Sequence, residues 1–325
     1  MKHCIMDESP LLSIICTVFN QEAFLTQCLA GIAGLSYPNL EIFLVDNGSS
    51  DDSRAILKDW VDKNRSNFTI STIFRDLDMP YCQSFNQVLA QVNGKYLIDL
   101  SGDDILQTQH AIKSITRLEE NPLAALSFSD AFLYKEGIKK SFYPRDHQGR
   151  LKSPVIEGEL YEVLVARHHV LSVTMVLRTD FIKEVGGYDE SLAYEDFDIQ
   201  VRLARKHPFV FSDHIGLIKT IHPKAFSAAQ YKRYRSVMLP STLKICQKIQ
   251  KMNRTRGEDE ALKKRLKYEL KHALFSANFE VADGFLDLLE DLNNVGQSSL
   301  FIYKKWLRYQ WDFSGIYVFL KSFND

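Results

Sequence analysis

Residues 96–106 read YLIDLSGDDIL, an apolar run that ends in a Ser-Gly step and two neighbouring acids, Asp103 and Asp104. The run has the composition of a buried strand. Two adjacent carboxylates at the end of such a strand are costly unless a positive charge neutralises them, and the motif contains no Lys or Arg. The motif is therefore either a solvated turn that closes the strand or a site for a divalent cation.

Strands and helices alternate on the amino-terminal side of this motif. The segments with strand composition are 11–19, 41–45, 68–75 and 95–101. The segments with helical spacing between them are 22–35, 53–64 and 84–93. This order, with uniformly apolar strands, predicts an α/β fold with a mostly parallel central sheet flanked by helices.

Polar residues follow each of the four predicted strands, at 17–20, 46–52, 75–78 and 101–104. Each cluster alone is ordinary loop composition. Because ligands of open α/β sheets bind beyond the carboxyl ends of the strands, the four clusters together predict a site for a cation or a sugar nucleotide. Neither a G-x-G-x-x-G nor a G-x-x-x-x-G-K-[ST] motif follows the first strand, which argues against dinucleotide dehydrogenases and P-loop proteins.

The composition excludes other classes. The 325 residues carry 40 basic and 41 acidic side chains, and this balance does not favour a nucleic-acid partner. The five cysteines lack metal-ligand spacing, so we expect reduced thiols in a reducing compartment. Asp7 and Glu8 interrupt the apolar stretch that a signal peptide needs, and no run is long enough to span a bilayer. We expect a cytoplasmic protein, with peripheral contact at the inner membrane face left open.

Four motifs in this order resemble those of the inverting family-2 glycosyltransferases of the GT-A fold. They are ICTVFNQEAFLTQCLAGI, LVDNGSSDDS, GKYLIDLSGDDIL and VGGYDESLAYEDFDIQVRLARK. The resemblance runs from about residue 11 to about residue 227. It implies a GT-A type nucleotide-sugar-binding fold, Mn²⁺ or Mg²⁺ as cofactor, and a glycan or lipid-linked glycan as acceptor. It favours a UDP-sugar as donor and leaves dTDP- and GDP-sugars open.

The resemblance also implies donor roles for residues at the strand ends. Phe19 matches an aromatic position that stacks on the uracil ring, and Thr17 lies in the same segment. Asp46 matches a carboxylate that accepts a hydrogen bond from the base. Gly102 would let the backbone pass close to the donor without a side chain in the way. The remaining candidates for binding the donor nucleotide are Asn20, Glu22, Ser49, Arg75 and Asp103.

For the metal and the reaction, the resemblance points to acids at two places. Asp103 matches the last acid of the family's D-x-D motif, which holds the metal that bridges the diphosphate, although Ser101 replaces the first acid. Asp104 and His222 are further candidate metal ligands, and a structural role is the alternative for His222. Asp196 matches the general base, with Glu195 beside it as a second catalytic candidate, whereas capping of a helix N-terminus is the alternative for Asp196.

Beyond the resemblance, Lys, Glu and Leu recur with helical spacing, so we expect a catalytic domain over 1–227 and a helical appendage over 228–325. The segment YKKWLRYQW (303–311) predicts either an amphipathic helix whose aromatic face packs inward or contact with an anionic membrane. A homodimer is also open. Two other classes compete with a transferase: a sugar-nucleotide-binding protein without activity, and a nucleotidyltransferase, which would release pyrophosphate instead of UDP.

Overall fold

The computed structural model describes residues 9–223, 225–292 and 297–321, so Cys4, Asp7 and Glu8 lie outside the described residues. The strands are β1 Leu12–Val18, β2 Leu40–Asp46, β3 Thr69–Phe74, β4 Tyr96–Ser101, β5 Ile105–Leu106, β6 Leu126–Lys135, β7 Ile138–Ser141, β8 Val176–Arg178 and β9 Phe209–Thr220. Helices α1 to α7 are Glu22–Ala33, Ser53–Asn64, Tyr81–Leu89, His110–Glu120, Tyr161–Ala166, Thr179–Glu184 and Asp196–Ala204. Helices α8 to α12 are Leu239–Met252, Arg256–Phe275, Phe279–Asp291, Gln297–Tyr309 and Ser314–Lys321.

The strands form one sheet in the order β3-β2-β1-β4-β8-β6-β9-β5, with β7 paired to β6. β1 runs parallel to β2 and β4, and β2 runs parallel to β3. β8 is antiparallel to both β4 and β6, whereas β6 and β9 are parallel. The predicted α/β fold is confirmed, with its parallel strands in the first half of the sheet. The carboxyl ends of β1 to β4 therefore lie at the same edge.

Burial in the core explains why strands β1 and β2 could be recognised from their apolar sequences. Every residue of β1 and of β2 is buried, and each fully buried aliphatic side chain stabilises the fold by roughly 1.5–3 kcal/mol relative to exposure. β3 differs from these strands, because its residues are exposed or half-buried although its segment was grouped with the uniformly apolar ones. The reason is its position, since β3 is the last strand at one side of the sheet and no other strand of the described residues pairs with its outer edge.

The chain divides into two compact units. The first comprises Met1–Leu160, Val170–Glu190 and Arg202–Ile221, and it contains the sheet. The second comprises Tyr161–His169, Ser191–Val201 and His222–Asp325. Helices dominate the described residues beyond 227, which confirms the predicted helical appendage. The domain limits 1–227 and 228–325 stay a prediction.

The expectation of reduced thiols agrees with the surroundings of the described cysteines. Cys16, Cys28, Cys82 and Cys246 are buried and form no disulfide. Over the described ranges, no helix combines the length and the apolar character that crossing a bilayer requires.

A buried histidine pair links α4 to β9. His110 Nδ1 lies 3.1 Å from His214 Nε2, and Ser212 Oγ lies 3.0 Å from His214 Nδ1. Burial, and then the charge of His214, lowers the pKa of His110 from 6.5 to about 3. Burial, and then the charge of Lys113, lowers the pKa of His214 to about 4. Both imidazoles are therefore neutral in the folded protein at neutral pH.

We predict that this pair makes the protein sensitive to acid. Between pH 6.5 and about 4 the unfolded chain binds more protons than the folded one, so the free energy of unfolding should fall as the pH falls through this window. The slope should reach about 1.4 kcal/mol per pH unit for each histidine. Urea unfolding at several pH values measures it. His110→Asn should flatten the slope, whereas the same change at the exposed His147 should not; equal slopes would contradict the assignment.

Candidate active site

The parallel register brings the predicted donor residues together. Thr17 on β1 lies opposite Ser101 on β4, and Val18 lies opposite Asp46 on β2. The polar side chains that follow β1, β2 and β4 therefore belong to one rim at the edge of the sheet, which we call the strand-end rim. It comprises residues 17–22, 46–54 and 101–104.

Two residues of this rim are suited to face a planar ligand. Phe19 is 48% exposed although it follows directly after a fully buried strand. The neighbouring Thr17 is 7% exposed, and its buried Oγ1 has no hydrogen-bond partner among the described residues. A buried hydroxyl without a partner is unfavourable, and a ligand that supplies one would remove that cost. The end of β1 thus carries an unsatisfied buried hydroxyl and, two residues later in the chain, an exposed ring.

Asp46 is held by a residue that the sequence did not single out. Its carboxylate is fully buried, accepts a hydrogen bond from the amide of Ser49 at 3.1 Å, and pairs with Arg54 Nε at 2.6 Å. This pairing raises the pKa of Arg54 above its ordinary value. Arg54 also donates to the carbonyl of Arg75 and contacts Asp76. The only sequence signal is the place of Arg54 in the first turn of α2, eight residues after Asp46.

Asn20, Glu22 and Ser49 join the loop after β1 to the loop after β2. Ser49 Oγ accepts a hydrogen bond from the amide of Asn20 at 3.0 Å, and Asn20 adopts a left-handed backbone conformation with φ of 53°. Glu22 Oε2 accepts from the amide of Asp52 at 2.8 Å, while Asp51 Oδ2 accepts from the amide of Glu22 at 3.0 Å. These side chains fix the shape of the rim.

Gly102 has a packing role that the sequence did not reveal. A Cβ atom at this position would lie 2.7 Å from Gln21 Oε1 and 3.0 Å from Val18 Cγ2. Gln21 Nε2 also donates a hydrogen bond to Ser101 Oγ at 3.0 Å. Gln21 therefore joins the ends of β1 and β4 and occupies the space that a side chain at 102 would need.

Asp103 and Asp104 lie in different surroundings. Asp103 is half-buried at the rim, and its Oδ1 accepts a hydrogen bond from Ser101 Oγ. Asp104 is 1% exposed, and its Oδ1 accepts from the amide of Thr220 at the end of β9 at 3.2 Å. In the described part of the chain, no group of three or more His, Cys, Asp or Glu side chains is arranged to hold a metal. Asp103 and Asp104 belong to the first compact unit, and His222 belongs to the second.

Arg75 and Asp99 form hydrogen bonds with side chains on α3 and near it. Arg75 Nη2 donates to Gln87 Oε1 at 3.0 Å, so its side chain lies along α3. Asp99 on β4 accepts hydrogen bonds from the hydroxyls of Tyr81 at 2.6 Å and Tyr188 at 2.7 Å. Burial raises the pKa of Asp99 from 3.8 to about 6, although both tyrosines act to lower it. The sequence did not single out Asp99. The signal that could have identified it is an acid inside an otherwise apolar strand.

The predicted catalytic acids lie in the second compact unit. Asp196 is the first residue of α7, and its Oδ1 accepts a hydrogen bond from the amide of Phe197 at 2.6 Å. Glu195 precedes the helix, and its carbonyl accepts from the amide of Ile199 at 2.9 Å. Both side chains are half-buried. The Asp196 carboxylate therefore lies at a helix N-terminus, where the helix dipole interacts favourably with a negative charge.

We predict that Arg54→Met lowers the thermal unfolding midpoint by about 5 °C, because it leaves the buried Asp46 carboxylate without its cation. Arg54→Lys should retain part of the stability. Lys58→Met, one turn further along α2, is the matched control and should change the midpoint little. Differential scanning calorimetry measures all three. If Arg54→Met melts like the parent protein, the ion pair does not stabilise the rim.

A mixed sheet with a polar rim at its parallel strand ends, followed by C-terminal helices, defines an α/β protein of the GT-A class. The model of the family "Glycosyl transferase family 2" matches residues 13–177, about half of the chain. The chain belongs to this family.

Its relatives carry related names. An "Uncharacterized glycosyltransferase" of Haemophilus influenzae is 26% identical over 182 residues, which are 55% of this chain and 55% of that protein. The poly-beta-1,6-N-acetyl-D-glucosamine synthase of Staphylococcus epidermidis is 19% identical over 197 residues, 59% of this chain and 45% of that protein. The chain thus spans about half the length of these relatives.

Two solved structures have a similar fold. The crystal structure of S. aureus TarS 1–349 in complex with UDP-GlcNAc has a TM-score of 0.70 and 15% identity, over 92% of this chain and 87% of that one. The mannosyltransferase PcManGT from Pyrobaculum calidifontis in complex with GDP-Man and Mn²⁺ has a TM-score of 0.59 and 12% identity, over 94% of this chain and 85% of that one. At these identities the likeness shows the fold alone.

Proposed function

We propose that this protein is an inverting glycosyltransferase that moves a sugar from a UDP-sugar to a hydroxyl acceptor on a glycan or lipid-linked glycan. Membership of the family and the GT-A fold support sugar transfer. The complexes of TarS with UDP-GlcNAc and of PcManGT with GDP-Man support a nucleotide-sugar donor. The observation that carries the proposal is the strand-end rim, where an exposed ring, an unsatisfied hydroxyl and a half-buried carboxylate lie at the ends of adjacent parallel strands.

The rim suits a nucleoside diphosphate. The exposed ring of Phe19 would stack on the uracil, and Thr17 Oγ1 would gain the hydrogen bond that it lacks among the described residues. Each oxygen of Asp46 already accepts one hydrogen bond, from Ser49 and from Arg54, and retains a lone pair for the base. Asn20, Glu22, Ser49 and Gly102 would contribute by holding the rim in shape.

The residues present also fit a divalent cation. Mg²⁺ and Mn²⁺ need only one or two carboxylates when phosphate oxygens and water complete the coordination, so a cluster of three protein ligands is not required. Asp103 at the rim would hold the cation, and the buried Asp104, which follows it in the chain, would be the second candidate ligand. When bound, the cation would offset the negative charge that develops on the leaving diphosphate. His222 remains a candidate ligand in this proposal.

The reaction is a single displacement. The acceptor hydroxyl oxygen forms a bond to the anomeric carbon as the bond from that carbon to the phosphate oxygen of UDP breaks. The proton of the hydroxyl passes to the carboxylate of Asp196, which acts as general base. The neighbouring carboxylate of Glu195 adds a second negative charge next to this base. Attack from the face opposite to the leaving group inverts the configuration at the anomeric carbon, and UDP leaves with the bonding electron pair.

We predict that Asp103→Ala weakens UDP binding in the presence of Mn²⁺ by about tenfold or more, because the Mn²⁺ that binds with the diphosphate loses its protein ligand. Asp196→Asn should bind UDP like the parent but lose about 10²–10⁴-fold in turnover, because it removes only the base. Isothermal titration with UDP and Mn²⁺ measures binding, and UDP release from a panel of UDP-sugars, starting with UDP-GlcNAc, measures turnover.

Asp59→Ala on the exposed face of α2 is the control carboxylate and should change neither quantity. Binding without UDP release by the parent would favour a sugar-nucleotide-binding protein, and pyrophosphate release would favour a nucleotidyltransferase. If Asp103→Ala binds UDP and Mn²⁺ like the parent, Asp103 is not the metal ligand.

The helix α11 supports a membrane contact for a protein with a lipid-linked acceptor. Trp306 packs edge-on against Phe275, with ring centroids 4.9 Å apart, as the inward-packing interpretation expects. Phe301 and Tyr309 on the same helix are nevertheless each 58% exposed, and the cations Lys305 and Arg308 lie over their rings. Exposed aromatic rings interleaved with cations favour the interface of an anionic bilayer.

We predict that the double change Lys305→Glu and Arg308→Glu reduces co-sedimentation with phosphatidylserine-containing vesicles by about tenfold or more, since each cation near such a surface contributes about 1 kcal/mol. Binding of the parent should also weaken as salt increases. The control with the same change of charge is Lys264→Glu with Lys267→Glu on α9. Equal sedimentation of all three proteins would leave α11 with a packing role only.

A further inference from the structure

The segment that leads to Asp196 is held by side chains of the C-terminal helices. Ser241 on α8 accepts a hydrogen bond from the amide of Ala193 at 2.8 Å. Lys244, also on α8, donates to the carbonyl of Ser191 at 3.2 Å. All of these residues belong to the second compact unit, so the loop before α7 is fixed from within that unit.

Lys248 fixes the first turn of α7 itself. Its Nζ lies 2.6 Å from Asp198 Oδ1, two residues after Asp196. The side chain of Asp198 is 2% exposed and that of Lys248 is 32% exposed, so the acid is removed from solvent while its cation remains partly hydrated. A buried carboxylate depends strongly on its partner, because breaking such a pair leaves an uncompensated charge. This ion pair therefore ties α7 to α8 beside the proposed base.

A fourth contact from α8 involves Tyr194, on the other side of Asp196 in the chain. The hydroxyl of Thr242 donates to the carbonyl of Met238 at 3.2 Å and accepts from the hydroxyl of Tyr194 at 2.7 Å. Burial, and then the charge of Asp196, raises the pKa of Tyr194 well above its ordinary value. The phenol is therefore neutral at any physiological pH, and it lies within the electrostatic field of the Asp196 carboxylate.

Helix α9 adds a third support. The guanidinium carbon of Arg265 lies 4.6 Å from the ring centroid of Phe197, the residue next to Asp196. The same side chain donates to the carbonyls of Val165 at 3.0 Å and Leu164 at 3.2 Å, at the end of α5. Its side chain is 11% exposed. Arg265 therefore joins the residue after Asp196 to the end of α5.

We propose that the C-terminal helices form the platform that positions the general base, with Lys248, Thr242 and Arg265 as positioning residues for Asp196. This inference rests on the proposed function, in which Asp196 takes the proton of the acceptor. A displacement of about 1 Å in a reacting group can cost about 10²-fold in rate. Four contacts that hold residues 191–198 from α8, with Arg265 from α9, limit such displacement. The helices thus support the reaction although none of their side chains reacts.

The first readout is hydrogen exchange, which needs no substrate. Lys248→Met and Thr242→Val should each increase the exchange rate of backbone amides in residues 191–199 by about tenfold, because a local hydrogen-bonded support is lost. Exchange in residues 96–106 should not change. Lys251→Met on the exposed face of α8 is the matched control. Unchanged exchange in residues 191–199 overturns the platform.

The second readout is UDP release as a function of pH. In Lys248→Met the Asp198 carboxylate loses its Lys248 cation, and its negative charge two residues from Asp196 should move the acid limb of the kcat profile to higher pH. We expect kcat to fall by about tenfold while KM for the UDP-sugar and Kd for UDP stay within about twofold. Lys248→Arg should restore both kcat and the acid limb. Tyr194→Phe should lower kcat as much as Thr242→Val does. The double variant should have the same kcat as either single variant, because both changes remove the same hydrogen bond.

The two proposals fail in different ways. If Asp196→Asn releases UDP like the parent, the assignment of the base is wrong and the positioning role is lost with it. If Asp196→Asn is inactive but Lys248→Met keeps the parent's kcat and acid limb, only the positioning role is wrong. Parallel losses of kcat, UDP affinity and stability in Lys248→Met would show a general structural role and overturn the inference.

Discussion

The parallel pairing of β1 with β2 and β4 is the constraint on which the donor side of the proposed site depends. Parallel strands present their carboxyl ends at one edge, and the observed register sets Thr17 opposite Ser101 and Val18 opposite Asp46. A shift of one residue would turn every side chain to the other face of the sheet. Because β1 and β2 are buried along their whole length, such a shift would expose the core, so the register is strongly specified.

The rim is polar, and its loops hold one another. Asn20 and Ser49 join the first two loops, Arg54 neutralises the buried Asp46, and Gln21 joins the ends of β1 and β4. Several of the polar residues that were predicted to contact the donor thus stabilise the loops themselves. A preorganised rim requires little rearrangement when a ligand binds, which favours affinity.

The sequence predicted what depends on local pattern. Helix α2 was predicted at 53–64 and observed at Ser53–Asn64, because its apolar residues recur with helical spacing. The exposure of β3 was not predictable, since its edge position is set by the sheet order. Arg54 and Asp99 were missed because only the fold brings their partners to them. Arg54 pairs with Asp46, and Asp99 accepts hydrogen bonds from Tyr81 and Tyr188. The contacts of α8 with residues 191–198 bridge about fifty residues and leave no periodic signal.

The most direct test of the proposed donor site is a crystal structure of the protein with UDP and Mn²⁺. We predict that the uracil lies against Phe19 with a hydrogen bond to Thr17 Oγ1, and that the carboxylate of Asp103 holds the Mn²⁺. UDP bound away from the ends of β1 and β4, or a Mn²⁺ that Asp103 does not contact, would contradict the central claim.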